Sequence, residues 1–364
     1  MKISGSQLFA IILSTSTMNY VALAPAFLKA GKDAWIVLGI SGIISCGLSL
    51  WIARVSLMFT GTGLVRGSQQ LLGKMMGKSV VLLYILTWFL IVVIDIRDWT
   101  DWVYLILLKY TPLSLTVGLM LALVLYLTLN GGIMTIGRFA EAIWLMFFLT
   151  MIVPSIMMPK DLHAGQLLPI YVDSGWVKIV QGVILCVAIF SQPTMSLLIL
   201  TQFVAKPQHL RWIPMLAVGM MTFWAVIAAI VSIMFVGADL APRCTNAWVT
   251  YIKSISILDF IQSIDAFSAF IWTFSNAIAI STFLFSASYG LAEWCNTKHW
   301  KAIATAIGAA AFVCTLVSLK VTHFTTILRE TIFVSWVLPV DVIGIPLLFW
   351  LVGMWKRRSS ARVR

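Results

Sequence analysis

Two short polar runs sit inside long apolar stretches of this chain, Ser14-Thr15-Ser16-Thr17-Met18-Asn19 and Ser191-Gln192-Pro193-Thr194. Hydrocarbon offers no hydrogen bonds, so such groups survive at membrane depth only where protein or a watery cavity satisfies them. A helix broken at mid-span exposes N–H groups on one half and C=O groups on the other, a polar clamp with opposite dipole ends. Ser14, Ser16, Thr17, Met18 and Asn19 would serve one side of the clamp, and Ser191, Gln192 and Thr194 the other. Pro193 removes a backbone donor and so favours the second break. The competing reading is that each hydroxyl returns a hydrogen bond to the preceding turn. Catalytic chemistry finds no support: His163, His209, His299 and His323 all fall in expected links, and neither a phosphate loop nor a nucleophile elbow is present.

The elements that must carry these runs follow from composition. Of 364 residues, 61% are hydrophobic and 10% charged, with a mean hydropathy of +0.99. Too few polar side chains remain to coat a soluble globule, so the chain reads as an integral membrane protein. A nucleic-acid partner is excluded with the soluble classes, although the net charge is +12. Segments long enough to cross the bilayer fall at 7–29, 34–57, 79–106, 112–130, 138–158, 177–203, 212–237, 264–290, 299–319 and 333–355. With both ends inside, more than half of the 25 Lys and Arg residues lie on the inner side, and the tail Lys356, Arg357, Arg358, Arg362 and Arg364 decides the bias. A cleaved signal peptide is rejected for the first segment because its apolar run is interrupted. Cys46, Cys186, Cys244, Cys295 and Cys314 form no C-x-x-C pair, so no disulfide framework, metal site or cofactor is indicated.

Five segments lie on each side of the link from Pro159 to Gly175. A repeated odd-numbered unit must run inverted through the membrane, so the expected architecture is an all-α membrane protein, a five-plus-five inverted repeat with broken helices 1 and 6. Residues 1–158 form the first repeat, 159–355 the second and 356–364 a basic cytoplasmic tail. Two further links are long, 59–78 and 238–263, the latter with a partly ordered piece. Asp33 is placed as a helix cap for segment 2. Gly39, Gly42 and Gly47, and the alanine-rich run 302–311, read as close helix-packing surfaces.

Several stretches in order resemble one known family: Ile3-Ser4-Gly5-Ser6-Gln7-Leu8-Phe9, Lys32-Asp33-Ala34-Trp35-Ile36, Asn130-Gly131-Gly132 followed by Gly137-Arg138-Phe139-Ala140-Glu141, and Leu167-Leu168-Pro169-Ile170 before Gly175-Trp176. Together they resemble the spore germination permeases, the membrane-embedded B subunits of nutrient germinant receptors, a branch of the amino acid–polyamine–organocation superfamily. The resemblance implies a receptor subunit in the inner membrane of an endospore, both termini cytoplasmic, working beside separate A and C subunits. The chain departs from the family's glycines at Thr17-Met18-Asn19 and from its Gly-x-Glu stretch at Gln192-Pro193-Thr194.

A zwitterionic amino acid fits the clamp between segments 1 and 6, its carboxylate on N–H groups and its ammonium on carbonyls. By analogy with the superfamily, Thr87 and Ile91 of segment 3 and Asn276, Ala279 and Thr282 of segment 8 wall the pocket. Asp95 and Arg97 sit near the outer end of segment 3, where Arg97 and Asp101 pair at i, i+4 and Asp95 and Asp98 share a face. They form either a gate or proton-linked group, or a solvated helix end. Asp265 and Asp341 read as helix-entry residues, and Arg138 with Glu141 as an anchor at the start of segment 5. Alternatives to a receptor are a proton-coupled amino acid or polyamine transporter, and a non-binding scaffold or ion-conducting component.

Overall fold

The computed structural model describes residues 1–16, 23–157, 162–171, 175–237, 239–244, 246–255 and 264–362. Thr17, Met18 and Asn19 therefore lie outside the described residues, as do Ser256, Ile257 and Leu258 of the link after segment 7. The first half of the chain runs through α1 (Gly5–Thr15), α2 (Leu23–Ala30), α3 (Ala34–Ser56), α4 (Leu64–Leu72), α5 (Lys74–Ile106), α6 (Leu113–Leu129) and α7 (Ile133–Ile156). The second runs through α8 (Gly175–Phe190), α9 (Gln192–Met195), α10 (Leu197–Leu200), α11 (Ile213–Val236), α12 (Ala247–Ser254), α13 (Ile264–Trp294), α14 (Trp300–Ser318), α15 (Phe324–Leu328) and α16 (Ile345–Arg362). Between α15 and α16, residues 329–344 wind in a wider π-helical form around Pro339.

Among the described residues, eight helical stretches are long and apolar enough to cross a membrane, and α1 and α6 are shorter apolar helices. Segment 1 is α1 plus α2, segment 6 is α8 to α10, and the other segments are single crossings, so the ten expected segments are each recognisable. Segment 10 begins at Phe324 rather than 333, because the charged pair Arg329-Glu330 sits inside the helical run instead of ending it.

Local chemistry fixes the element ends. Ser4 caps α1 in a reciprocal box with Gln7. Asn246 accepts from the Val249 N–H at the start of α12, and the Tyr251 hydroxyl, 2.6 Å from the Pro154 carbonyl, ties α12 to the end of α7. Burial pushes the Tyr251 phenol up to about 12, so it stays a donor. Asp33 does not cap α3. Its carboxylate instead accepts the Tyr171 N–H at 2.9 Å, fastening the link between the halves to the start of segment 2.

Close approach at small residues packs the bundle. Gly42 of α3 faces Thr222 of α11 so tightly that a methyl would lie 1.8 Å from the Thr222 Cγ2. Ala304, Gly308 and Ala311 share a buried face of α14, with Leu125 of α6 against Gly308. Gly47 has nothing within contact distance of its would-be side chain and plays no such part.

Among the described residues the only extended pairing is a two-residue parallel bridge between Ile3 and Val204. The Ile3 N–H donates to the Phe203 carbonyl at 2.8 Å and the Ala205 N–H to the Ile3 carbonyl at 2.9 Å. This joins the start of segment 1 to the end of segment 6. Glu141 of α7 braces the same place by accepting from Ser6 and, at 3.2 Å, from Gln7. Glu141 thus anchors segment 5 to segment 1.

Candidate functional site

Segment 6 is interrupted twice, at Ser191 and Ser196, and its backbone keeps right-handed helical angles at both. The break is a kink with lost hydrogen bonds, not an extended stretch. Pro193 supplies no donor, and the first turn beyond it closes tightly, from the Thr194 N–H to the Ser191 carbonyl at 3.2 Å. The surrounding polar side chains are all buried: Ser14, Ser16, Ser191, Gln192 and Thr194.

Several of these groups already have partners. The Ser16 hydroxyl donates to the Ile12 carbonyl at 2.7 Å and Thr194 to the Ser191 carbonyl at 2.7 Å, the return to the preceding turn set out as the competing reading. Thr282 does the same toward Ile278 at 2.8 Å, and the Asn276 amide toward Trp272 at 2.8 Å. Ser191 differs: its hydroxyl is buried and has no hydrogen-bond partner among the described residues. Ile91 and Ala279 are fully buried apolar packing.

Asp95 is the centre of a second arrangement. It is fully buried, which overturns the solvated helix end as a description of this residue. The Gln192 amide donates to its Oδ2 at 3.3 Å, and Arg329 lies 3.8 Å from its Oδ1. Arg329 also grips Asp98. Two carboxylates sharing one face of α5 are thus bridged by one guanidinium from segment 10, while the Arg97 Nε donates to Asp101 at 2.8 Å on the neighbouring face. A buried ionisable group in a membrane span is retained where it is paired, and it marks function more often than fold.

Asp341 is corrected as well. It is not a helix-entry residue but lies fully buried within the wide helical stretch, where the Thr87 hydroxyl donates to its Oδ2 at 2.6 Å. The Tyr84 hydroxyl donates to the Asp341 carbonyl at 2.7 Å. Thr87 therefore faces segment 10. Arg329 escaped sequence reasoning altogether. The signal available was an arginine within helix distance of an apolar run, on the same segment as Asp341.

A cavity of about 450 Å³ lies on the side of the bundle away from the Ile3–Val204 bridge. Leu23, Ala24 and Phe27 of α2 form one wall, and the last turns of α5 contribute Asp98, Trp99, Asp101 and Trp102. Trp272 and Asn276 of α13, Cys244 and Asn246 before α12, and His323 and Thr325 at the start of α15 also line it. Of the expected pocket residues only Asn276 lines this cavity.

Helical crossings, a kinked sixth segment and paired buried charges define the class: an all-α membrane protein with the inverted-repeat fold of small-solute transporters. A comparison with solved structures agrees on that fold. Mhp1, a nucleobase-cation-symport-1 family transporter in a closed conformation with bromovinylhydantoin, is similar with a TM-score of 0.66 at 13% identity, over 93% of this chain and 76% of that one. MhsT in complex with L-phenylalanine matches with a TM-score of 0.64 at 14% identity, over 97% and 88%. An Eremococcus coleocola manganese transporter in complex with an aromatic bis-isothiourea substituted compound gives 0.61 at 11%, over 96% and 84%. Comparison with curated proteins found no match. The family of spore germination proteins matches residues 2–322, and the chain belongs to it.

Proposed function

We propose that this chain is the membrane subunit of a nutrient germinant receptor, seated in the inner membrane of an endospore with both termini toward the spore core. Residues 1–158 and 159–355 are the two inverted repeats, followed by a basic tail. The chain binds a small nutrient, an amino acid foremost, between segments 1 and 6 and signals to A and C subunits. The observation that carries this function is the interruption at Ser191 in a chain of the germination family, with a buried hydroxyl left for a guest to satisfy. Burying a hydroxyl without a partner costs about 1–3 kcal/mol, and a ligand group at that point offsets the cost.

Thermal unfolding of the detergent-solubilised full chain, run against single amino acids, neutral sugars and nucleosides, tests the proposal. At least one amino acid raises the midpoint, and Thr194→Tyr, which fills the kink, removes the effect. Failure of every compound to stabilise the wild-type chain defeats it.

A second function is favoured by the fold of the solved neighbours, which are transporters: movement of the same solute with a proton. Saturable binding without accumulation in liposomes under a proton gradient supports the receptor, and accumulation supports the transporter.

A further inference from the structure

None of Ser191, Gln192 and Thr194 borders the cavity walled by α2, α5 and α13, and neither does the fully buried Asp95. The two carboxylates that do border it are already spent as charges: Arg329 grips Asp98, and the Arg97 Nε donates to Asp101 at 2.8 Å. An entering cation has to displace an arginine, and an entering anion meets two carboxylates. An ionised carboxylate nevertheless has about four lone-pair sites, so both side chains still accept hydrogen bonds. The lining disfavours charge and suits neutral donors.

The other polar groups add donors as well as acceptors. The Trp102 ring N–H is buried and has no hydrogen-bond partner among the described residues. Asn246 accepts the Val249 N–H on its side-chain carbonyl at 3.2 Å and keeps its NH2 group, whereas Asn276 donates to the Trp272 carbonyl at 2.8 Å and keeps its side-chain oxygen. The hydroxyls of Thr325 and Thr326 and the neutral imidazole of His323 each donate and accept, and Cys244 adds a weak donor. A guest with several hydroxyls, each a donor and an acceptor at once, satisfies such a mixed set without bringing charge.

The aromatic wall selects the body of that guest. Trp102 and Trp272 stand with ring centroids 5.3 Å apart and planes 51° apart, and the Trp99 ring N–H donates to the Thr273 hydroxyl at 3.3 Å. Indoles at that tilt cannot sandwich a flat ring between them. They cup a puckered one, whose weakly positive C–H groups meet the negative ring faces. A volume of about 450 Å³ falls in the usual range for small-molecule sites, about 300–1,000 Å³.

We propose that this cavity is a second recognition site, for a neutral polyhydroxylated ring of the hexopyranose class. Its C–H face lies against Trp102 and Trp272, its hydroxyls donate to Asp98, Asp101 and Asn276, and one hydroxyl oxygen accepts the Trp102 N–H. Both arginine pairs stay in place when the site fills. The site is independent of the one between segments 1 and 6.

Saturation-transfer NMR on the purified full chain in nanodiscs, free of sugar-headed detergent, tests the site. The probes are methyl glucopyranoside, methyl galactopyranoside and methyl mannopyranoside, and the comparators are phenethylammonium, 3-phenylpropionate and adenosine. At least one glycoside saturates in about the millimolar range, about tenfold or more tightly than each comparator, with the strongest transfer at its ring C–H protons. Trp102→Phe, which keeps an aromatic face but removes the N–H, weakens that glycoside by about threefold to tenfold, and Trp272→Leu weakens it further. The site is overturned if no glycoside saturates, if a charged or flat comparator binds as tightly, or if both variants bind like wild type. Loss of the glycoside in Thr194→Tyr puts the sugar at the kink of segment 6 and overturns the cavity site as well.

Discussion

Removal of Arg329 is the sharpest perturbation available. Its side chain is 6% exposed and bridges Asp95 at 3.8 Å and the still closer Asp98. At such a separation and an effective dielectric constant near 20, one unit pair is worth about 4 kcal/mol. Deleting the guanidinium forfeits two such attractions and leaves two carboxylates on one helix face with no cation between them. Relaxation and water entry recover part, so Arg329→Met destabilises the chain by about 3–5 kcal/mol, the usual cost of stranding a buried charge. The combined variant Arg329→Met, Asp95→Asn, Asp98→Asn removes the stranded charges too and recovers most of that loss. SDS titration in mixed micelles measures both. A single variant within about 1 kcal/mol of wild type, the range of an exposed ion pair, refutes a buried latch, and so does a triple variant no more stable than the single.

Two other substitutions probe the frame around the site. Thr87→Val keeps shape but removes the hydroxyl that donates to the buried Asp341 carboxyl, whose Oδ1 already has no hydrogen-bond partner among the described residues. It costs about 1–3 kcal/mol in thermal or SDS unfolding, while Thr87→Ser costs far less. Gly42→Ala drives a methyl into Thr222 and costs about 1–3 kcal/mol by overpacking. Thr222→Ala in the same chain restores only part of this, because the Thr222 Cβ itself lies 2.7 Å from the added carbon.

What could be read from residue order was whatever hydropathy period and local spacing encode. Ten crossings, the kink at Ser191 and the Arg97–Asp101 pair are all local, the last being an i, i+4 contact that one helix decides. Asp341 was misread, Arg329 overlooked and Asp95 left between two readings for one shared reason. Each carries a charge that hydropathy counts against burial, and each is satisfied by a partner on a distant segment: Gln192 and Arg329 for Asp95, Thr87 for Asp341. Only the packing of segments 3, 6 and 10 shows that these polar groups cancel inside the bundle. Asp33 failed similarly, since a cap is the local expectation and its actual partner, Tyr171, comes from the link between the halves.

The pattern of attachments gives the proposed receptor a physical way to transmit a signal. The first half of segment 1 and the last residues of segment 6 are one body, joined by backbone hydrogen bonds at Ile3 and Ala205 and braced by Glu141. Beyond the interruptions, α2 and α8 pack against each other, and α8 packs against the wide stretch 329–344. A guest at Ser191 touches the seam between these two groups, and Gln192, one residue on, holds Asp95. Any shift of the kink that draws Gln192 away removes a donor from Asp95 and leaves that carboxylate to Arg329. Changes at segment 6 therefore reach segment 10 through a buried carboxylate as well as through direct packing. The Asp95→Asn variant, which keeps a carbonyl acceptor for Gln192 but loses the charge for Arg329, separates these two contacts.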